Sequence, residues 1–350
     1  MKQLFLRMTA VMAAVLLSCT NLWAESNGKC GDNITWTLDD NGVLTISGTG
    51  KMYDYSESPW KDLSIKRGVI KEGVTNIGAS AFDCCRSLAS VEIPSSVTSI
   101  EKYAFLYCSS LTSVEIPNSV TSIGDGAFSG SSSMTSVKLS NSLTNIGSYA
   151  FLGCYELTSV EIPGSVTSIG DGAFTSSGLT SVTFNAEKCT KMGEAYYSVF
   201  NDCKSIKTLT IGERVTMIPD FAFKYCIGLD KISVLAKNPP ACGSEVFDDV
   251  NKQNCKLIVP RESLEAYKAA DTWKNFYNIS AGIGQVMTDD VNVAVVDGEI
   301  SITGVADDAA VEIYSANGAT IYRGTNKTIA MPCQGIYIVR VAGKTLKIAF

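Results

Sequence analysis

The 350-residue sequence predicts a mainly β protein: a long solenoid of stacked rungs, capped at both ends and followed by a small β-sandwich. Three observations predict it. Phenylalanine recurs at a fixed step in the middle of the chain, apolar residues between these phenylalanines keep one spacing, and the last residues break into short alternating segments. Hydrophobic residues make up 45% and charged residues 18%, which is enough apolar material to fold and too little charge for a disordered chain.

Residues 1–24 read as an export signal. Lys2 and Arg7 provide a positive start, and Met8 to Leu17 form an apolar core too short for the roughly 20 helical residues that span a bilayer. Two cleavage readings stand. "LWA" places a small residue before Glu25, whereas "LLSC" resembles a bacterial lipobox and would lipidate Cys19; Leu17 fits that motif poorly and favours the first. No later stretch is long and apolar enough for a transmembrane helix, so the mature chain is expected to be soluble or surface-tethered.

Residues 25–70 form the expected amino-terminal β cap. "CGDNITWTLDDNGVLTISGTGKM" alternates apolar and polar around Asp40-Asn41-Gly42, a hairpin turn signal, with Trp36 and Trp60 as buried anchors.

Residues 71–260 carry the repeat. Phe82, Phe105, Phe128, Phe151 and Phe174 are 23 apart; Phe200, Phe223 and Phe247 follow at 26, 23 and 24. After Phe105 the unit reads "LYCSSLTSVEIPNSVTSIGDGAF". Its Leu111-x-x-Val114-x-Ile116 segment has the LxxLxL core of a leucine-rich repeat, and the period falls in the 20–29 range of that class. The fold class is therefore a leucine-rich-repeat solenoid. Val114 and Ile116 face inward from one strand while Glu115 faces out. A second short strand is expected at "VTSI", where Val120 and Ile123 turn inward beyond Pro117. One rung cannot bury this set alone, so stability has to come from stacked neighbours.

Twelve cysteines suggest a disulfide framework until they are placed on the repeat. Cys85, Cys108, Cys154, Cys203 and Cys226 all stand three residues after their phenylalanine, where two other rungs have Ser131 and Ser177. That exchange calls for a small, weakly polar, buried residue. Cys85 and Cys108 are close enough in register to consider a strained bridge, and Cys242 and Cys255, flanking the last rung, are the better disulfide candidates.

Residues 261–283 are expected to close the solenoid. In "ESLEAYKAADTWKNF", Leu264, Tyr267, Ala270 and Trp273 recur at helical spacing, and "ISAGIG" then links onward. Residues 284–350 hold seven alternating segments from "VNVAVV" to "KTLKIAF", with an Asn317-Gly318 hairpin, and predict a small β-sandwich.

The units "AFLYCSSLTSVEIPNSVTSIG" and "AFLGCYELTSVEIPGSVTSIG" resemble the BspA-type leucine-rich repeats of exported bacterial surface proteins, and the resemblance covers about half the chain. The segment from Cys30 to Met52 is similar to the module that often precedes such repeats. The resemblance implies adhesion, with a host or neighbouring-cell protein or glycan as partner, and no catalytic activity. "VEIYSANGATIYRG" and "GIYIVRVAGKTLKIAF" resemble the carboxy-terminal sorting domain of type IX secretion cargo, from which the chain departs at Cys333 and at Phe350 directly after the strand. An ordinary accessory sandwich is the alternative.

The repeat spacing itself nominates a surface. The outward position runs Glu92, Glu115, Lys138, Glu161, Thr183, Thr210, Ser233, and its neighbour runs Ser90, Ser113, Ser136, Ser159, Ser181, Thr208, Lys231. Lys138 can reach Glu115 or Glu161, while Glu92 beside Glu115 costs stability unless a cation or basic group meets them. This ladder is the candidate ligand-binding face; plain solvated strand residues are the bland alternative. Few aromatics project from it, which weakens a sugar-stacking or hot-spot reading there.

Enzyme chemistry finds little support. The chain has no histidine, which excludes histidine catalysis and ligation. It has no phosphate-cradling loop, and "AGIG" is too short for a dinucleotide fingerprint. Asp39-Asp40, Asp248-Asp249, "TDD" at 288–290 and "ADD" at 306–308 read as turns rather than catalytic or calcium-binding acids. A net charge of −6 without a basic cluster argues against nucleic acid. The expectation is a monomeric, exported interaction protein with no cofactor or metal; a passive envelope spacer and a lectin-like glycan binder are the rivals.

Overall fold

The computed structural model describes residues 27–282, 285–288, 291–296, 299–331 and 336–349. The expected export signal with Cys19, Asp289-Asp290 of the "TDD" turn, and Cys333 lie outside these residues.

The chain opens with the antiparallel strands Asn27–Gly31, Ile34–Leu38 and Val43–Gly48. Their hairpin closes where expected: Gly42 takes φ +81, and the Asp39 carboxylate accepts the amide protons of Asn41 and Val43. The cap is continuous with the solenoid, because Val43–Gly48 pairs in parallel with Arg67–Ile70 and that strand with Ser90–Glu92. Trp36 and Trp60 are buried and meet edge to face at 5.6 Å.

Each rung then has three sides. The front side is a strand such as Ser113–Glu115 or Ser159–Ile162, parallel and in register with its neighbours. The back side is shorter than "VTSI" predicts: Val120 closes a turn on the Pro117 carbonyl, leaving the two-residue strand Ser122–Ile123. The third side is the turn around the phenylalanine. There the backbone takes positive φ two residues before and two after, as at Tyr103 and Tyr107 around Phe105 or Gly126 and Gly130 around Phe128. This geometry lets the Phe105 amide donate to the Ala127 carbonyl of the next rung, a pattern repeated along the turn side.

The eight phenylalanines form one buried stack from Phe82 to Phe247, with neighbouring centroids 4.9 to 5.9 Å apart. Trp60 covers one end, and Trp273 with Phe276 the other. The fold is thus a β-solenoid on rungs of about 23 residues.

Two further expectations change. The closing helix is only Leu264–Ala269; the backbone turns extended at Ala270, and after Thr272 at φ +67 a 3-10 turn follows at Trp273–Asn275. The break lets Trp273 Nε1 donate to the Pro240 carbonyl at 2.8 Å, while the Tyr267 hydroxyl donates to Ala236 at 2.7 Å. The disulfide candidates also fail to pair: Cys242 and Cys255 are free thiols, the first on a back strand and the second just before the front strand Lys256–Pro260, so the solenoid core separates them. Cys85 and Cys108 are likewise free and buried.

The carboxy-terminal residues form two four-stranded antiparallel sheets that enclose a core of Val293, Ile300, Val311, Ile313, Val339 and Ile348. All seven predicted segments are strands, and Gln285–Thr288 adds an eighth to the first sheet. Gly318 takes φ +86 at the predicted hairpin turn.

Candidate functional site

The front strands set the predicted ladder in order. Parallel register puts Ser113 beside Ser136 and Glu115 beside Lys138; farther on it aligns Ser159, Ser181, Thr208 and Lys231, with Glu161, Thr183, Thr210 and Ser233 next to them. The hydrogen-bonded ladder is interrupted twice, between Ser90–Glu92 and Ser113–Glu115 and again between Ser136–Lys138 and Ser159–Ile162, so the front strands fall into three sheets.

The charges are answered within the chain. Glu92 pairs with Arg67 of the preceding strand, and Lys138 Nζ meets Glu115 Oε1 at 2.6 Å. The like-charge cost expected at Glu92 and Glu115 is therefore met by the protein's own bases. Both pairs are solvent-exposed and worth roughly 0–1 kcal/mol each. Lys138 does not pair with Glu161; that carboxylate instead accepts a bond from Asn185 Nδ2 at 2.8 Å.

Exposure divides the ladder in two. From Ser90 to Glu161 the outward residues are exposed, Ser181 to Thr210 are half-buried, and Ser233 is buried. The cause is the sandwich. Thr183, Thr210 and Ser233 form one wall of a cleft of about 840 Å³ whose other wall includes Asn292, Ser301 and Thr303 of the first sandwich sheet. Glu161 borders the cleft on the solenoid side. It stays open to solvent, yet surrounding protein desolvates the carboxyl and raises its pKa, against the lowering effect of the Asn185 bond.

The chemistry this surface offers is polar docking: hydroxyls, charges of both signs and a cleft lined largely by polar residues. Among the described residues no group of three or more histidine, cysteine or acidic side chains could hold a metal, and no helix is long and apolar enough to cross a membrane. Sequence reasoning missed the cleft, whose walls come from residues far apart in the chain. It also missed a line of exposed tyrosines on the turn side. Their signal was present in the alternation of tyrosine with glycine around successive phenylalanines.

Comparison with known proteins finds the family described as "BspA type Leucine rich repeat region", in six copies, over residues 75–198 and 193–270. No curated protein sequence matches. Similar solved structures include the leucine-rich repeat protein of T. pallidum, 24% identical over 55% of this chain and 86% of that one, TM-score 0.37. The pneumococcal vaccine antigen PcpA is 17% identical over 69% of this chain and 83% of its own, TM-score 0.37. A leucine-rich repeat protein from Eubacterium ventriosum is 17% identical over 64% of this chain and 94% of its own, TM-score 0.28.

Proposed function

Since the chain belongs to the BspA-type leucine-rich repeat family, we propose that it is an exported, surface-displayed interaction protein that docks a partner on its front strands and catalyses no reaction. Family membership indicates an interaction role in general. The observation that carries the finer reading is the exposed half of the ladder: Ser90, Ser113, Ser136 and Ser159 beside Glu92, Glu115, Lys138 and Glu161, with Ser113 and Glu115 held in register against Ser136 and Lys138. A flat row of hydroxyls flanked by both signs of charge suits a polar protein surface, whose charges can exchange with Arg67 and Lys138 for the same carboxylates.

The test uses the full chain and a variant with Glu92→Ala, Glu115→Ala and Glu161→Ala, probed against immobilised host matrix proteins and a glycan array. The expected result is protein binding weakened by about tenfold or more, equivalent to 1.4 kcal/mol. Undiminished binding removes the ladder from the mechanism. A spacer without a ligand is the second reading, favoured by the internal ion pairs that already satisfy Glu92 and Glu115; silence against both probe sets would support it.

The sandwich serves delivery or attachment in this reading, by the type IX-like pattern of its last strands, and residues 1–24 serve export. Comparing the location of the chain with and without residues 286–350 tests the first point. Unchanged surface display would remove the sorting role.

A further inference from the structure

Most rungs have two left-handed backbone positions around their phenylalanine, and the residues that fill them point to a second binding surface, away from the front ladder. In the rung of Phe105 both are tyrosines, Tyr103 at φ +59 and Tyr107 at φ +54. In the rung of Phe128 both are glycines, Gly126 and Gly130. The rung of Phe151 has Tyr149 at φ +56, and that of Phe174 returns to glycine at Gly172. A bulky residue at positive φ carries a strain that glycine avoids, and the neighbouring rungs show that this fold accepts glycine there.

The tyrosines and glycines are coupled in space. A Cβ built on Gly126 would come within 2.7 Å of the Tyr103 ring, one on Gly130 within 2.5 Å of Tyr107, and one on Gly172 within 2.7 Å of Tyr149. Each ring thus lies over the bare backbone of the next rung and presents the rest of itself to solvent: Tyr103 is 43% exposed, Tyr107 51% and Tyr149 37%. Tyr197, 54% exposed, meets Tyr149 at 6.5 Å and continues the line. The hydroxyls of Tyr103, Tyr107 and Tyr197 make no hydrogen bond within the described residues.

Spacing and polarity identify the ligand class. Phe105, Phe128 and Phe151 are stacked 5.1 and 5.3 Å apart, so Tyr103 and Tyr149, two rungs apart, are separated by about 10 Å along the solenoid. The rung spacing is close to the advance per sugar in an extended β-linked glycan, so the two-rung step from Tyr103 to Tyr149 matches one disaccharide, while Tyr149 and Tyr197, 6.5 Å apart, make one closer-set aromatic platform beyond it. Among the described residues eight of the eleven exposed large hydrophobic residues are tyrosines, and the four on this line make it amphipathic rather than the aliphatic patch of a dry protein interface. Glu101, Asp125 and Asp171 outnumber Lys102 on the same turns and disfavour a polyanion. We infer that Tyr103, Tyr107, Tyr149 and Tyr197 bind an uncharged, extended β-linked polysaccharide laid along the solenoid axis, its sugar rings packed on the tyrosines.

Native affinity electrophoresis of the full chain, through gels containing hydroxyethylcellulose, mixed-linkage β-glucan or xyloglucan, tests this directly, with alginate as the charged control. The variant combines Tyr103→Gly and Tyr149→Gly, copying the residues that adjacent rungs already use; a Tyr103→Asn and Tyr149→Asn pair, also tolerant of positive φ, stands in if that variant melts early. The expected result is retardation of the wild type by at least one neutral polysaccharide, weakened about tenfold or more in the variant. The melting temperature should not fall, and the glutamate ladder variant should remain retarded. The inference is overturned if no neutral polysaccharide retards the wild type, if the tyrosine variants are retarded equally, or if alginate is retained as strongly as the glucans. Capture of a protein through these tyrosines without any polysaccharide retention overturns it as well.

Discussion

Three residues past four of the phenylalanines, a thiol or hydroxyl reaches back to the preceding rung. Cys108 Sγ donates to the Phe82 carbonyl at 3.2 Å, Cys154 to Phe128 at 3.4 Å and Cys203 to Phe174 at 2.9 Å, while Ser131 Oγ reaches Phe105 at 3.5 Å. This common task explains why cysteine and serine exchange freely there: the position asks for a small donor under a phenylalanine. Cys154→Ser is therefore expected to shift stability by less than about 1 kcal/mol, whereas Cys154→Val, which adds bulk and removes the donor, should cost about 1–3 kcal/mol. Urea midpoints of the two variants check this, and equal losses would refute it. Burial also pushes the Cys85 and Cys154 thiols up to about 12, so neither supplies thiolate at neutral pH. Alkylation of the native protein, mapped by peptide mass spectrometry, should mark the exposed Cys84 and leave Cys85, Cys108, Cys154, Cys203 and Cys226 unmodified until denaturant is added. Rapid native labelling of the buried five would contradict the packing described.

At the scale of elements, the front sheet joins the repeat to the sandwich, and Glu161 lies at the join. Desolvation raises its carboxyl above the usual 4.5, so the folded protein holds a proton there that the unfolded chain has released. Stability contributed by this site is present below the ordinary carboxylate range and falls as pH rises through the window above it. Glu161→Gln, which cannot ionise, should thus gain on the wild type as pH is raised from about 4 to about 7, as read from paired urea midpoints. A constant difference between the two proteins would show that the carboxyl is not desolvated. Glu213, Arg214, Lys231 and Glu299 also line the cleft and set the field it feels.

The front strands themselves were legible from Leu111, Val114 and Ile116, because one strand period and one rung period decide which side chains turn inward. The closing helix was only half legible: helical spacing found Tyr267 and Trp273 as inward residues, but the helix ends at Ala270, and the bond of Trp273 to Pro240 is made from the separate turn that follows. The partner of Glu161 was misjudged for a similar reason. Lys138 is its neighbour by rung count, yet the sheet breaks between their strands and Asn185 supplies the donor. No local pattern announces the cleft, since Ser233 and Ser301 meet across it from positions far apart in the chain.

For the whole molecule, the stack of phenylalanines makes stability nearly one-dimensional, because each rung rests chiefly on its two neighbours. Fully burying one ring is worth about 1.5–3 kcal/mol, and the end rings realise this only where an aromatic lid replaces the missing rung. Trp273 is that lid for Phe247, at 5.5 Å between centroids, with no exposed surface of its own. Trp273→Ala removes the lid and its bond to Pro240, at an expected cost of about 3–5 kcal/mol confined to the carboxy-terminal rungs. Because a repeat array need not unfold as one unit, a single melting curve cannot locate this loss, but hydrogen exchange can. Protection should fall most around Phe247, less around Phe223, and stay unchanged from Phe82 to Phe128. Phe151→Ala should instead open the middle of the stack while both aromatic ends keep their protection. An even loss across all rungs in either variant would mean that the solenoid unfolds as a single cooperative body, and the nearest-neighbour account would fail.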